Sequence, residues 1–468
     1  LIMPIDPIER YRRLFVDDSY ELFEEDGDWD MQSKELDERR GKAIREVVKS
    51  YGMEGIKDLV RIVESPGTVG NLMVDYISAD VYMAELLNLM SSVELDEKTR
   101  PFVECSVFRR QIRQGWSWVD DLDRSQWSIS QTAQFLSFLP FEDGTWSRAQ
   151  MWLQGDEKEY WKITRINPYH SSLSLKKAID KLIQFNRSKA ALECIYSMHM
   201  NKQSIDSELS VRALLAAVES DEPDYTVSTY HIIEVIKSLQ NNVDVEEDAM
   251  LQVEWAYLPI LDRHNRASPK YLESKLSTDP RFFCEIIRMI YRSETKVPEK
   301  KESTEREKMI ATNAWRLLNG WRIPPGLEVD GGFSVEKFEF WIKSVRNISS
   351  DTGHQKSALS KAGAVLVYTP ADQNGLWINH AVALELNRSD SDALRSGYRT
   401  KLFNMRGAHF VDPEGKPEKK IASEYREKAN AVEGEGYHRI ARMLNDLAES
   451  YDKQAESIIE EHKNDIWD

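Results

Sequence analysis

Cysteine is scarce in this sequence: three in 468 residues, Cys105, Cys194 and Cys284, far apart and without CxxC or Cys/His spacing. That excludes a disulfide framework and a Cys/His zinc module, and suits a reducing compartment in which each thiol is a small core residue. Long apolar runs are missing too. No stretch approaches the roughly 18 residues of a membrane-spanning helix, no signal peptide is expected, and the expected location is the cytoplasm. Positive charge is in deficit, with 62 Lys and Arg against 79 Asp and Glu and a formal net charge of −17. Such a surface repels phosphate backbones and anionic headgroups, so neither nucleic acid nor a membrane is the expected partner.

Strand patterning is thin. The one β-rich run, Ala364 to Tyr368, fits equally the end of a helix through Leu359, Ala362 and Leu366, and no βαβ alternation appears. Nucleotide loops are absent: Gly41-Lys42 is followed by Ala43 inside a helical pattern, and Gly434-Glu435-Gly436 lacks a third glycine and a preceding strand. No cofactor is expected, ATP and NAD included. His380, His409 and His438 are each isolated from another histidine, no HExxH or GxSxG motif occurs, and no cysteine has an activating local context. The residues read as non-catalytic, without a metal site.

What the chain has in quantity is helical periodicity and aromatic bulk. The 13 Trp and 15 Phe argue against disorder, since large aromatics are what a disordered chain lacks. Apolar residues recur at i, i+3, i+4 and i+7 in Ile44/Val47/Val48/Tyr51, Ile56/Leu59/Val60/Val63, Ile232/Val235/Ile236/Leu239 and Phe283/Ile286/Ile287/Ile290. The pattern returns in Phe338/Trp341/Ile342/Val345 and Ile440/Met443/Leu444/Leu447. Prolines at 66, 140, 168, 259 and 280 punctuate it, because proline lacks an N–H and restricts the residue before it. The expected fold is all-α: stacked helical hairpins, a HEAT-like or irregular α-solenoid, with a C-terminal helical subdomain. The polar stretch Ser293 to Lys308 marks the expected boundary, giving an array over 1–300 and a subdomain over 301–468. With its first Met at position 3, the chain reads as part of a longer polypeptide.

Two neighbouring runs carry the candidate chemistry. In Phe108 to Val119, Arg109, Arg110 and Arg113 are followed by Trp116 and Trp118, the composition of a protein-binding hot spot. The same residues suit a plainer role, tryptophans packed between helices and arginines paired with the acidic run that follows. That run, Asp120-Asp121-Leu122-Asp123, approaches the magnesium-binding DDxxD of all-helical synthases. Its third carboxylate comes one position early, off the face that a spacing of three or four would build.

The C-terminal third holds Trp321-Arg322-Ile323-Pro324-Pro325-Gly326, Gly375-Leu376-Trp377 and Phe403-Asn404-Met405-Arg406-Gly407. With WR-x-PPG, GLW and FN-x-RG segments downstream of helical hairpins, the chain resembles the all-helical C-terminal regions of very large bacterial multidomain proteins. The resemblance implies a HEAT-like sensor or scaffold arm of the kind attached to nucleotide-hydrolysing or NAD-consuming modules in bacterial defence proteins, and carries over no catalytic residue. The expected function is therefore protein interaction or sensing, with a protein partner. The alternatives are a magnesium-dependent all-α enzyme using Asp120, Asp121 and Asp123, and a scaffold for self-assembly.

Overall fold

The computed structural model describes residues 6–16, 28–78, 82, 86, 89, 95–168, 175–222, 226–261, 267–295, 304–407 and 411–465. Among these the chain is all-helical. The sole β feature is an isolated antiparallel bridge between Leu327 and Phe333, inside the Pro-Pro-Gly loop. The ambiguous run 364–368 belongs to the helix Gln355–Val365 and a 3-10 turn, Leu366–Tyr368.

Local signals set the boundaries. Asp28, Ser128, Asp206 and Ser334 each accept a backbone N–H at the start of a helix, at 3.1–3.3 Å. Pro66 and Pro280 occupy first-turn positions, and Asp279 caps the second of these helices. The helix Lys416–Gly434 starts directly after a tight turn, with Gly415 (φ 61°) at its N-cap and Pro417 in its first turn.

The chain forms two compact units, Leu1–Val235 and Ile236–Asp468, the division falling inside the helix Thr229–Gln240. The core of the second unit draws on both sides of residue 300, from Leu258, Phe283 and Ile287 to Trp321, Trp341 and Leu444. The polar stretch is thus a connection within that unit and not its edge. Its first residues are tied down: Glu294 donates its N–H to the Gly353 carbonyl at 2.7 Å, and its carboxylate accepts the N–H groups of Lys356 and Ser357. Residues 296–303 lie outside the described residues.

In both units helices pack mainly on near neighbours in sequence. Pro66–Tyr76 lies on Thr99–Asp120, Ser188–Met200 lies between Lys176–Gln184 and Ser207–Glu219, and Lys416–Gly434 lies along His438–Asp465. The first unit buries Trp146, Tyr160 and Trp161 around Phe141, with ring centroids 5.1–6.4 Å apart. The second buries Phe283, Trp321 and Trp341 at 5.0–6.0 Å, and the two indole N–H groups donate to Ser277 Oγ and the Leu276 carbonyl. Cys194 and Cys284 are buried and Cys105 half-buried. Burial pushes all three thiols up, Cys284 to about 12.

One buried carboxyl makes the second unit sensitive to pH. Glu254, fully buried, accepts the N–H groups of Tyr271 (3.2 Å) and Leu272 (2.9 Å) at the start of Lys270–Thr278, and the Gln240 side-chain amide at 2.6 Å. Burial outweighs these donors and pushes the carboxyl up to about 7. Because the folded value lies above the unfolded one, its stabilisation is complete below the ordinary carboxylate range and is lost as pH rises through about 7. Glu254→Gln cannot satisfy the same three donors and is expected to melt lower than the wild type at pH 5. The gap should narrow by pH 8, as thermal melts at the two values will show; a constant gap would contradict the assignment.

Candidate functional site

The Arg/Trp run lies on the helix Thr99–Asp120, which breaks at Gly115, where φ is 70° and ψ −167°. Glycine reaches this left-handed region without a steric penalty, and the break turns the last five residues out of the helical register. Trp116 therefore packs on the helix Asp143–Leu153: the Arg148 guanidinium lies 4.0 Å over its ring, and a Cβ at Gly144 would come within 2.3 Å of it. Trp118 meets Phe135 edge-on at 6.2 Å and carries the Arg110 guanidinium at 5.2 Å. Arg110 is itself buried and donates to the Tyr82 hydroxyl at 3.1 Å.

Arg109 and Arg113 face the other way, toward Pro66–Tyr76. Arg109 grips Asp75 with two hydrogen bonds of 3.0 and 2.8 Å, and Arg113 forms an ion pair with the same carboxylate at 2.7 Å. The Asp75 carboxylate raises the Arg109 guanidinium above its usual value. The five residues do not form one exposed patch. Arg110, Trp116 and Trp118 are packing residues, while Arg109 and Arg113 fix one helix against another. Arg109 and Arg113 thus pair with Asp75, 34 and 38 residues upstream, and not with the acidic run next to them.

Asp120, Asp121 and Asp123 do not share a face. Asp120 ends the helix and is held by Arg148 at 2.8 and 2.6 Å, which keeps its carboxyl below the usual range. Asp121 caps that helix end, and Asp123 accepts the Ser125 N–H at 3.0 Å, which lowers it as well. Arg124 lies 3.7 Å over the Trp152 ring and donates to the carbonyls of Val119, Asp120 and Leu122. Among the described residues no three His, Cys, Asp or Glu side chains converge as metal ligands.

What the Arg109 face does build is a groove of about 1080 Å³ in the first unit. One wall is Thr68, Asn71, Leu72 and Asp75; the facing wall is Glu104, Cys105, Phe108, Arg109 and Ile112. The segment Ser137–Glu142 closes one side, where Pro140 ends a helix and its carbonyl accepts the Thr145 hydroxyl at 2.6 Å. The groove is apolar at its base, where Leu72, Phe138, Leu139 and Phe141 are nearly buried, and Phe108 and Ile112 stand 39% and 57% exposed beside it. Three ion pairs lie along its rim, Arg40 with Asp37, Arg109 with Asp75 and Arg165 with Glu104, and Glu142 adds a fourth carboxylate.

The spacing held a signal for this surface. Phe108 and Ile112 form an i, i+4 pair offset from the core stripe of Phe102, Val103, Ser106 and Val107, so two apolar faces share one helix. Compared with family models, curated proteins and solved structures, the chain finds no match.

Proposed function

We propose that the chain is a non-catalytic protein-interaction or sensing region of a larger bacterial protein, built as HEAT-like stacked helical hairpins, and that the groove of the first unit receives a segment of the partner. The observation that carries this is the pairing of exposed Phe108 and Ile112 with an apolar, walled groove of about 1080 Å³. Near-neighbour packing of short helices supports the stacked-hairpin reading. The resemblance of the chain to all-helical regions of large bacterial multidomain proteins supports a role in defence.

The groove also suggests the chemistry of its occupant. Asp37, Asp75, Glu104 and Glu142 outnumber Arg40, Arg109 and Arg165 along its walls, in a chain of net charge −17. It therefore suits an amphipathic peptide segment with two or three apolar anchors and flanking lysine or arginine.

A peptide-display library panned on the immobilised chain tests this. Enriched peptides should carry apolar anchors with basic flanks and bind Ile112→Glu at least about tenfold more weakly, the scale of one lost apolar anchor. Ile112 is exposed, so the variant should melt within a degree or two of the wild type, as surface substitutions usually do. Equal binding by both proteins, or enrichment of acidic peptides, would overturn the assignment.

A further inference from the structure

A second cavity lies wholly within the second unit, independent of the groove. It measures about 350 Å³ and is enclosed by the end of Glu305–Gly320 with Trp321 and Arg322, by the middle of Gln355–Val365 and by the last turns of Asp392–Asn404. Three basic side chains line it, Arg322, Lys361 and Lys401, together with neutral hydrogen-bonding groups on Asn319, Ser360, Thr400 and Asn404. None of its lining residues is Asp, Glu or His. In a chain with 79 acidic residues, every charged side chain of this wall is positive.

A close crossing of two helices brings these cations to one cavity. Gln355–Val365 and Asp392–Asn404 cross at backbone contact, since a Cβ at Gly397 would lie 1.8 Å from the Ser360 carbonyl oxygen and one at Gly363 would lie 1.9 Å from that of Leu394. The crossing sets Lys361 and Lys401 on either side of one space. The Tyr368 ring supports two of the three charges, with Arg322 at 5.0 Å and Lys401 at 5.6 Å from its centroid. Arg322 is oriented further by donating to the Asn319 and Trp321 carbonyls at 2.7 and 2.8 Å. The Lys361 ammonium donates to the side-chain oxygen of Asn319 at 3.2 Å. The carboxylate nearest in the bonding pattern, Glu273, accepts the backbone N–H of Arg322 and does not line the cavity.

We propose that this cavity binds a small phosphate-bearing molecule, with Arg322, Lys361 and Lys401 holding the phosphate and Asn319, Thr400 and Asn404 contacting the remainder. Half-buried cations of one sign repel each other, and a dianion among them removes that repulsion while gaining charge-assisted hydrogen bonds. Burial alone already lowers the Lys361 ammonium below the ordinary lysine value, which fits a cation whose strongest counter-charge arrives with a ligand. The volume exceeds what an inorganic phosphate needs and leaves room for a second phosphate or a small organic group. Two of the sequence segments that stand out in the C-terminal third, Trp321-Arg322 and Asn404, meet here.

Calorimetric titration of the whole chain with inorganic phosphate, inorganic pyrophosphate and acetate, in chloride buffer, tests the proposal. Pyrophosphate should bind saturably and at least about tenfold more tightly than acetate, and Lys361→Met should weaken it by at least about tenfold, the scale of one charge-assisted hydrogen bond. Lys361→Arg should restore most of the affinity, which separates loss of charge from loss of fold. As a second readout, the Lys361 ammonium, followed by nitrogen NMR of labelled lysine, should titrate at higher pH with pyrophosphate present. Binding that is equal for acetate and pyrophosphate, unchanged in Lys361→Met, or absent for all three anions would overturn it.

Discussion

Replacing Arg406 by methionine should destabilise the second unit by about 3–5 kcal/mol, the range found when one partner of a buried ion pair is removed. Arg406 pairs through its guanidinium with Glu418, a residue with no exposed surface, and also lies over the Tyr451 ring at 5.8 Å. Without the guanidinium a carboxylate stays behind in the interior. Glu418 occupies the first turn of Lys416–Gly434, where the helix dipole favours negative charge, so the loss should fall toward the lower end of that range. Adding Glu418→Gln to Arg406→Met should recover a large part of it, because the double variant no longer buries an unpaired charge. Urea unfolding of the two variants measures both numbers. A loss under about 1 kcal/mol for Arg406→Met would show that water or another donor already satisfies Glu418.

Gly397→Ala should cost about 3 kcal/mol, at the upper end for an added methyl group in a packed core. The atom that its Cβ would meet, at 1.8 Å, is the Ser360 carbonyl oxygen, and Gly363 makes the reciprocal contact with Leu394. Backbone oxygens of regular helices cannot rotate away, so the helices would have to separate along their whole crossing. Gly320→Ala provides the contrast. It sits at the end of its helix with nothing within 4 Å of a new Cβ, and should be neutral or stabilising by about 0.5 kcal/mol. Equal melting temperatures for the two alanine variants would refute the close crossing.

The helices were legible because their apolar periods match what the units bury. Phe338, Trp341, Ile342 and Val345 are all 4% exposed or less, and Ser334 caps their helix by accepting the Lys337 N–H. The pattern failed where a helix breaks. Tyr51 completes the period of Ile44, Val47 and Val48 yet stands 50% exposed, because Gly52 (φ 63°, ψ −150°) interrupts the helix Trp29–Ile62 right after it. The same effect hid the arrangement of the Arg/Trp run. Residue spacing assumes one continuous helix through Gly115, and it says nothing of Asp75 on another helix. Arg322, Lys361 and Lys401 are about forty residues apart, so only the packing of three helices reveals them as neighbours.

The preference of each helix for its near neighbours in sequence also bears on how the chain reaches its native state. The run from Lys176 to Glu219 and Lys416–Gly434 with His438–Asp465 close short loops, and Pro66–Tyr76 with Thr99–Asp120 closes one of 22 residues, at an entropy cost that rises only slowly with length. Low contact order of this kind goes with fast collapse, and each hairpin can form soon after its second helix leaves the ribosome. The main exceptions are Gln355–Val365, which waits for Asp392–Asn404, Pro280–Ile290, which waits for Val335–Thr352, and His380–Asn387, which waits for His438–Asp465. His438–Asp465 shares a core with His380–Asn387, so the apolar side of the shorter helix stays open to chaperones and to other nascent chains until both have been made.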